Sequence, residues 1–381
     1  MRVAINLLTD DPANPSGAHW FWTRMIPEMA SMLSEGEELR LLVSRRSKVM
    51  HQGYPPGVRF ITFPWSNERR NLRTLSEQVY APVRLPLAGI DVFSTLIAPL
   101  VRPAPSVVAH FKTMHAFTTP DALSGATRLY RTIGYPHTAA AADAIIINSE
   151  SLRSEVLKFL DVDPAKLRLI PEAVDHDVFR PGDPQEAARR LHDRYGVNGR
   201  FVLFVSSLWP YKNCDGLIRA FAAARRDLDG RGLVVVGPGR DTAYAARLRS
   251  LAESLGVADR ITWVGGVPLE GTVDFYRAAD VFVYPSHNET FGLPILEAMA
   301  CGCPVVTSDC SAMPETAGGA AVLADPRDPD SIASAILGAV EEGEALRERG
   351  LQRAGEFTWR HTAKRTLEVY REVHANRRGQ Q

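Results

Sequence analysis

Short, uniformly apolar runs separated by helical stretches constrain the second half of this chain more than any other feature. FVLFVSS (residues 201–207) runs into CDGLIRAFAAARRDL, GLVVVGPG (232–239) runs into TAYAARLRSLAESLG, and RITWVGG, VFVYPS, PVVTSDC and AAVLADP each open a further helical segment. Strands apolar at every position have both faces covered, the condition of a parallel sheet between layers of helices. The first half repeats the pattern less regularly: RVAINLL, ELRLLVS, VRFITF, DVFSTL, SVVAHF and DAIIINS are strand candidates, and HWFWTRMIPEMASML is a helix candidate between two of them. The fold expected is α/β, with two Rossmann-like doubly wound domains facing a cleft, because open sheets of this kind bind ligands beyond the carboxyl ends of their strands.

At 381 residues the chain exceeds one ordinary core, so two domains are expected. Pro181, Gly182 and Pro184 punctuate a polar stretch, which sets a linker at 178–192 between a first domain, 1–177, and a second, 193–358. Residues 359–381 read as an amphipathic helix with a frayed end, free to pack back on the first domain. The 44 basic residues balance the 44 acidic ones, so nothing global draws the chain to nucleic acid or membrane. The spacing of Cys214, Cys301, Cys303 and Cys310 matches no zinc site, and the thiols read as small buried groups. MRVAINLLTDD looks like a first strand rather than a secretory leader, and no apolar run has the length of a membrane span. The expected compartment is the cytoplasm.

The stretch HNETFGLPILEAMACGCPVV, residues 287–306, carries the densest chemistry. Pro294 has the fixed φ favoured in a first helical turn, so a helix begins near Leu293. The free N–H groups of Phe291, Gly292 and Leu293 then form an anion site at its dipole, large enough for a diphosphate, and Gly292 allows close approach. Glu289 before the site and Glu297 one turn beyond can accept hydrogen bonds from hydroxyls on either side of a phosphate. The alternative is a solvated loop acid and a carboxylate that merely complements the dipole. The spacing alone leaves both open.

ETFGLPILE, preceded by YPS and followed by EAMACGCPVVTSD and PETAGGAAVLADPRDPDSIA, closely resembles the nucleotide-sugar domain of retaining glycosyltransferases of the GT-B fold, family 4. The match is close over residues 201–330 and loose over the first half. It implies transfer of a hexose or deoxyhexose from a nucleotide-diphosphate sugar to a saccharide, lipid-linked or small-molecule hydroxyl, with retention and without a metal or other cofactor. By the same resemblance Glu289 meets the donor sugar and Glu297 the ribose. Lys212, in SSLWPYKNCDGLIRAF, falls where relatives place a lysine on the diphosphate, and Ser207 stands where many carry an arginine. Gly265, in WVGG, counts with the donor side. Ser16-Gly17 matches a glycine-rich loop near donor and acceptor, with Ser16 toward the acceptor. His110, in SVVAHF, resembles the histidine near the anomeric carbon, with His115 as its rival. Ser149 and Glu172 match strand-end positions, Ser149 on the acceptor side.

Four Asp-x-Asp tripeptides, at 161–163, 175–177, 227–229 and 328–330, read as caps and turns rather than as metal-nucleotide motifs. Trp20, Phe21 and Trp22 read mostly as core. SRRSK (44–48) and ERRNLR (68–73) are basic faces, open either to solvent or to peripheral contact with anionic lipid. Two other functions fit the same pattern: a GT-B nucleotide-sugar epimerase, or a catalytically silent nucleotide-sugar-binding partner subunit.

Overall fold

The computed structural model describes residues 1–9, 17–51, 53–63, 74, 76–120 and 123–379. It divides into two compact units: Met1–Pro171 with Trp359–Gln381, and Glu172–Thr358.

The first unit is a parallel sheet of strands β1 (Arg2–Asn6), β2 (Glu38–Ser44), β3 (Val58–Phe63), β4 (Val92–Thr95), β5 (Ser106–His110), β6 (Ala144–Ile147) and β7 (Leu167–Leu169) in the order β3-β2-β1-β4-β5-β6-β7. Helix α1 (Gly17–Ser31) covers one face, and α2 (Ala81–Leu87), α3 (Gly125–Ala141) and α4 (Glu150–Phe159) follow it in the chain. The chain returns to this unit at its end. The 20-residue helix Trp359–Arg378 lays Ala363, Leu367, Val369, Tyr370 and Val373 into the core with Val3, Ile5, Phe21 and Met25. Each of the larger side chains contributes roughly 1.5–3 kcal/mol by its burial. Ion pairing of Arg371 with Glu37 at 2.6 Å and a bond from Thr362 Oγ1 to the carbonyl of Pro171 at 3.0 Å fix the helix's position.

The second unit is also wholly parallel. Its strands β8 (Phe201–Val205), β9 (Gly232–Val236), β10 (Ile261–Gly265), β11 (Val281–Tyr284), β12 (Val305–Ser308) and β13 (Val322–Ala324) lie in the order β10-β9-β8-β11-β12-β13. β11 is buried at every position, as its unbroken apolar pattern requires. The order reverses between β8 and β11, which pair directly, Val281 opposite Val202 and Phe282 opposite Leu203. Loops leaving a neighbouring pair of this kind diverge to opposite faces and open a crevice at their carboxyl ends.

Residues 178–192, expected as a linker, instead hold most of a helix of the second unit, Pro184–Tyr195. Asp183 caps it by accepting from the N–H groups of Gln185 and Glu186, Pro184 starts it, and Gly196 at φ 66° ends it. Arg190 ties it to Asp274 at 2.7 Å. Of the residues that suggested a connector, Pro184 is the start signal of this helix, and Pro181 and Gly182 precede its cap. Three Asp-x-Asp tripeptides act through local bonds: Asp163 accepts from Ala165 N at 2.8 Å, Asp175 from Asp177 N at 3.1 Å and Asp328 from Asp330 N at 2.9 Å. In the fourth, Asp229 turns the chain at φ 45°.

Candidate functional site

Lys212 and Glu289 follow β8 and β11, the two strands at which the second sheet reverses. Lys212 ends a short turn, Pro210–Lys212, and the next residue fixes its place. Asn213, at φ 58°, caps the helix Cys214–Ala224 by accepting from Gly216 N at 3.2 Å. Its amide nitrogen donates to the carbonyls of Pro285 at 3.0 Å and Pro326 at 2.6 Å. The buried amide thus fastens the lysine loop to the end of β11.

Across that junction the Lys212 ammonium pairs with Glu289 Oε1 and donates to the phenol of Tyr284 at 2.7 Å. The same phenol donates to Glu289 Oε1 at 2.7 Å, so Tyr284, the last residue of β11, bridges both charges. Only 12% of the Lys212 side chain and 13% of that of Glu289 is exposed. Burial pulls the lysine toward its neutral form, but the Glu289 carboxylate outweighs it and holds the ammonium above its ordinary range. The Tyr284 hydroxyl is raised by burial and then by the same carboxylate, so it stays neutral and can donate.

The Glu289 loop is sewn to the segment after β12. Glu289 N donates to Ser311 Oγ at 3.1 Å, Ala312 N donates to Glu289 O at 3.2 Å, and the Thr316 hydroxyl donates to the carbonyl of Phe291. Phe291 is buried against the edge of Phe357, with ring centroids 5.9 Å apart. Gly292, at φ 94°, turns the chain into the helix Leu293–Ala300 with Pro294 in its first turn. Among the described residues the N–H groups of Phe291, Gly292 and Leu293 have no acceptor. A cation, a carboxylate and a helix start with unfilled donors are thus gathered at one sheet reversal.

Glu297 lies further along the same helix and accepts from the phenol of Tyr276 at 3.1 Å. Burial pushes its carboxyl up to about 7, although the Tyr276 bond favours the ionised form. Rings of Tyr276, Phe282 and Tyr284 pack in succession, at 5.2 and 5.8 Å, and so link this carboxyl to the Lys212–Glu289 pair through a rigid aromatic row. Tyr276 and Tyr284 were not singled out from the sequence. In VFVYPS the one polar atom of an apolar strand is the Tyr284 hydroxyl at its end, and that was the available signal.

Ser207 sits in the loop before Lys212, and Gly265, at φ 82°, ends β10. More constrained is Gly237, at φ 143°, where a Cβ would stand 1.9 Å from the carbonyl oxygen of Ser206. Glu172 opens the second unit. In the first unit Gly17 begins α1, and Ser16, like ERRNLR, lies outside the described residues. Ser149 is buried as the cap of α4 and accepts from Leu152 N at 3.0 Å. Phe21 and Trp22 are core, whereas Trp20 is 38% exposed.

His110 is buried at the end of β5, its Nε2 3.1 Å from the phenol of Tyr370, which donates to Ser94 Oγ at 2.7 Å. The edge-on ring of Trp22 lies 5.0 Å away. Burial, and then the Lys112 charge, hold the imidazole well below its ordinary pKa. These surroundings favour the neutral imidazole, and among the described residues its buried Nδ1 has no hydrogen-bond partner. His115 is partly exposed at the start of the turn His115–Thr118. Among the described residues no group of three or more His, Cys, Asp or Glu side chains is arranged to hold a metal ion.

Two parallel, doubly wound sheets, one carrying this constellation at its reversal, define a protein of the GT-B class with two Rossmann-like domains. The signature of Glycosyl transferases group 1 matches residues 189–354, and that of Glycosyltransferase Family 4 matches 16–178. The chain belongs to the group 1 glycosyltransferases of GT-B fold. It is 37% identical over 258 residues to a D-inositol 3-phosphate glycosyltransferase of Acidothermus cellulolyticus, an alignment covering 65% of this chain and 57% of that protein. The chain thus spans little more than half the length of that curated relative. Sucrose-phosphate synthase from Thermosynechococcus elongatus superposes with a TM-score of 0.75 at 20% identity, over 98% of this chain and 99% of the other. Anabaena HepE, solved in complex with UDP and glucose, superposes with a TM-score of 0.73 at 19% identity, over 98% and 100%. At these identities the two structures speak for the fold.

Proposed function

We propose that the chain is a glycosyltransferase that moves a hexose or deoxyhexose from a nucleotide-diphosphate sugar to an acceptor hydroxyl, with retention and without a metal. The observation that carries this reading is the Lys212–Tyr284–Glu289 cluster beside the unfilled N–H groups of residues 291–293. Breaking a sugar–phosphate bond puts negative charge on the departing diphosphate while the sugar becomes oxocarbenium-like. One ammonium and a row of amides aimed at that charge stabilise the transition state more than the ground state. When the diphosphate takes the ammonium, Glu289 loses its partner and becomes an acceptor for sugar hydroxyls, still held by the Tyr284 phenol. Glu297, one turn deeper, takes the ribose hydroxyls. Ser207, Gly265 and Gly17 are assigned to the donor side, and Ser16, His115 and Ser149 to the acceptor side. Of the two histidines His115 is the better exposed, and comparison of His110→Ala with His115→Ala in turnover assigns the one near the reacting carbon.

The names of the relatives support a sugar donor and a polyol acceptor: the curated one acts on D-inositol 3-phosphate, and HepE has been solved with UDP-glucose. A thermal-shift screen of UDP, GDP and dTDP, followed by their sugars, identifies the donor. Donor consumption then tests the reaction. Turnover only with an acceptor supports transfer, turnover without one indicates an epimerase, and binding without turnover indicates a silent partner subunit. NMR of the product linkage reads retention.

A further inference from the structure

Seven large apolar side chains of the first unit stand in solvent on three neighbouring segments. Val79, Val83 and Leu87 are 59%, 60% and 76% exposed, Leu100 and Val101 are 72% and 62%, and Leu129 and Ile133 are each 62%. On the segment 76–87 the buried positions Glu77, Ala81 and Leu85 recur every fourth residue, so Val79, Val83 and Leu87 form the opposite, outward line. Leu129 and Ile133, with Pro136 and Ala140, form an exposed stripe on α3 whose other side buries Gly134, Tyr135, Thr138 and Ala139. The segments are joined side by side: Leu100 N donates to Gln78 Oε1 at 2.9 Å, the Tyr130 phenol donates to Glu77 Oε2 at 3.3 Å, and His137 Nε2 lies 3.0 Å from Pro99 O. In the second unit Leu323 alone is a comparably exposed large apolar residue among those described.

Among the described residues of these three segments the exposed charges have one sign. Residues 78–89, 97–105 and 123–142 contain no carboxylate. Arg84 and Arg128 are exposed, and among the described residues neither pairs with an acid. Outward aliphatic residues bordered by arginines match the boundary of an anionic bilayer, where acyl chains take the apolar side chains and phosphates take the guanidinium groups. A second copy of the chain is a poorer occupant, because a two-fold interface would set this face against itself and arginine toward arginine with no acid between. No helix among the described residues is long and apolar enough to cross a membrane.

We propose that the face formed by Val79, Val83, Leu87, Leu100, Leu129 and Ile133 lies against an anionic phospholipid surface. It is distinct from the basic stretch SRRSK. The test is flotation of the full chain with phosphatidylcholine vesicles, with and without phosphatidylglycerol, at low and high salt. The wild type binds the phosphatidylglycerol vesicles at least about tenfold better than the neutral ones, and salt weakens this binding. Val83→Asp with Leu129→Asp lowers it about tenfold, whereas Leu323→Asp leaves it unchanged. Because the arginines are exposed, Arg84→Glu with Arg128→Glu reads the same face should the first pair fold poorly, and it too should lower binding about tenfold. Wild-type protein that stays with the buffer in the presence of phosphatidylglycerol vesicles overturns the proposal, as does undiminished binding by the folded variants. A dimer in sedimentation velocity, lost in Val83→Asp with Leu129→Asp and unaccompanied by vesicle binding, would give the face to a second copy instead.

Discussion

Glu297 gives the site a pH dependence whose sign and size follow from its surroundings. Its carboxyl is pushed from 4.5 up to about 7 by burial. If the ionised form receives the ribose hydroxyls, donor affinity is reduced by the fraction ionised, so each pH unit below 7 costs about tenfold, or about 1.4 kcal/mol. Sugar nucleotides such as UDP-glucose or GDP-mannose suit the measurement, since their diphosphate does not itself titrate there. Isothermal titration of the best stabilising donor between pH 5.5 and 8.5 should show affinity rising with pH and levelling above about 7. Glu297→Gln should bind more weakly at high pH and lose the slope. Stability runs the opposite way. Because the folded state keeps a proton that the unfolded chain releases between 4.5 and about 7, wild-type stability falls as pH rises through that window, by up to about 3 kcal/mol. Glu297→Gln removes this loss and should melt higher than wild type at pH 8. An affinity slope that survives unchanged in Glu297→Gln would refute the role given to this carboxylate.

Three other perturbations address the pair beside it. Lys212→Ala should lower turnover by about 2–4 kcal/mol of barrier, measured as kcat with saturating donor. It also strands a desolvated Glu289, so the melting temperature falls; Lys212→Met with Glu289→Gln should restore the melting temperature without restoring kcat, and recovered turnover would contradict the mechanism. Tyr284→Phe removes the bridge between ammonium and carboxylate, for a stability loss of about 1 kcal/mol by denaturant titration and a lower kcat, and an unchanged kcat would limit the phenol to a structural role. Gly292→Ala forces a side chain to φ 94° and within 3.1 Å of Ile295 Cδ1, so it should destabilise by about 1–2 kcal/mol and weaken diphosphate binding in the same thermal-shift assay.

How much of this was legible in the sequence depends on the range of the interaction. All six strands of the second sheet follow apolar runs read directly, and in the four central ones burial on both faces leaves an unbroken signal. In the first sheet β7, only Leu167–Leu169, was not among the strand candidates, since three residues carry no period. The helix start at Leu293 was legible because Gly292 and Pro294 encode it locally. The helix Pro184–Tyr195 was passed over because its stop and start residues also punctuate loops, and only packing on Asp274 distinguishes the two. His110 shows the harder limit. A histidine at a strand end reads the same whether it faces a substrate or the core, and its hydrogen-bond neighbour, Tyr370, lies 260 positions away, beyond any local pattern.

The same limit explains why Lys212 and Glu289 appeared in the sequence as separate binding groups when the fold makes them partners. Seventy-seven residues separate them, and only the pairing of β8 with β11 brings their loops together. Their mutual contact changes what each does. A free lysine in water would attract any anion, whereas one already neutralised by a desolvated carboxylate yields only to a ligand that satisfies both charges at once. A lone phosphate would take the ammonium and leave Glu289 buried without a counter-charge. A diphosphate carrying a hydroxylated group satisfies the ammonium at one end and gives the carboxylate donors at the other. On the proposed function the pair would act as a filter against inorganic phosphate, so sugar nucleotides should raise the melting temperature well beyond what phosphate at the same concentration achieves.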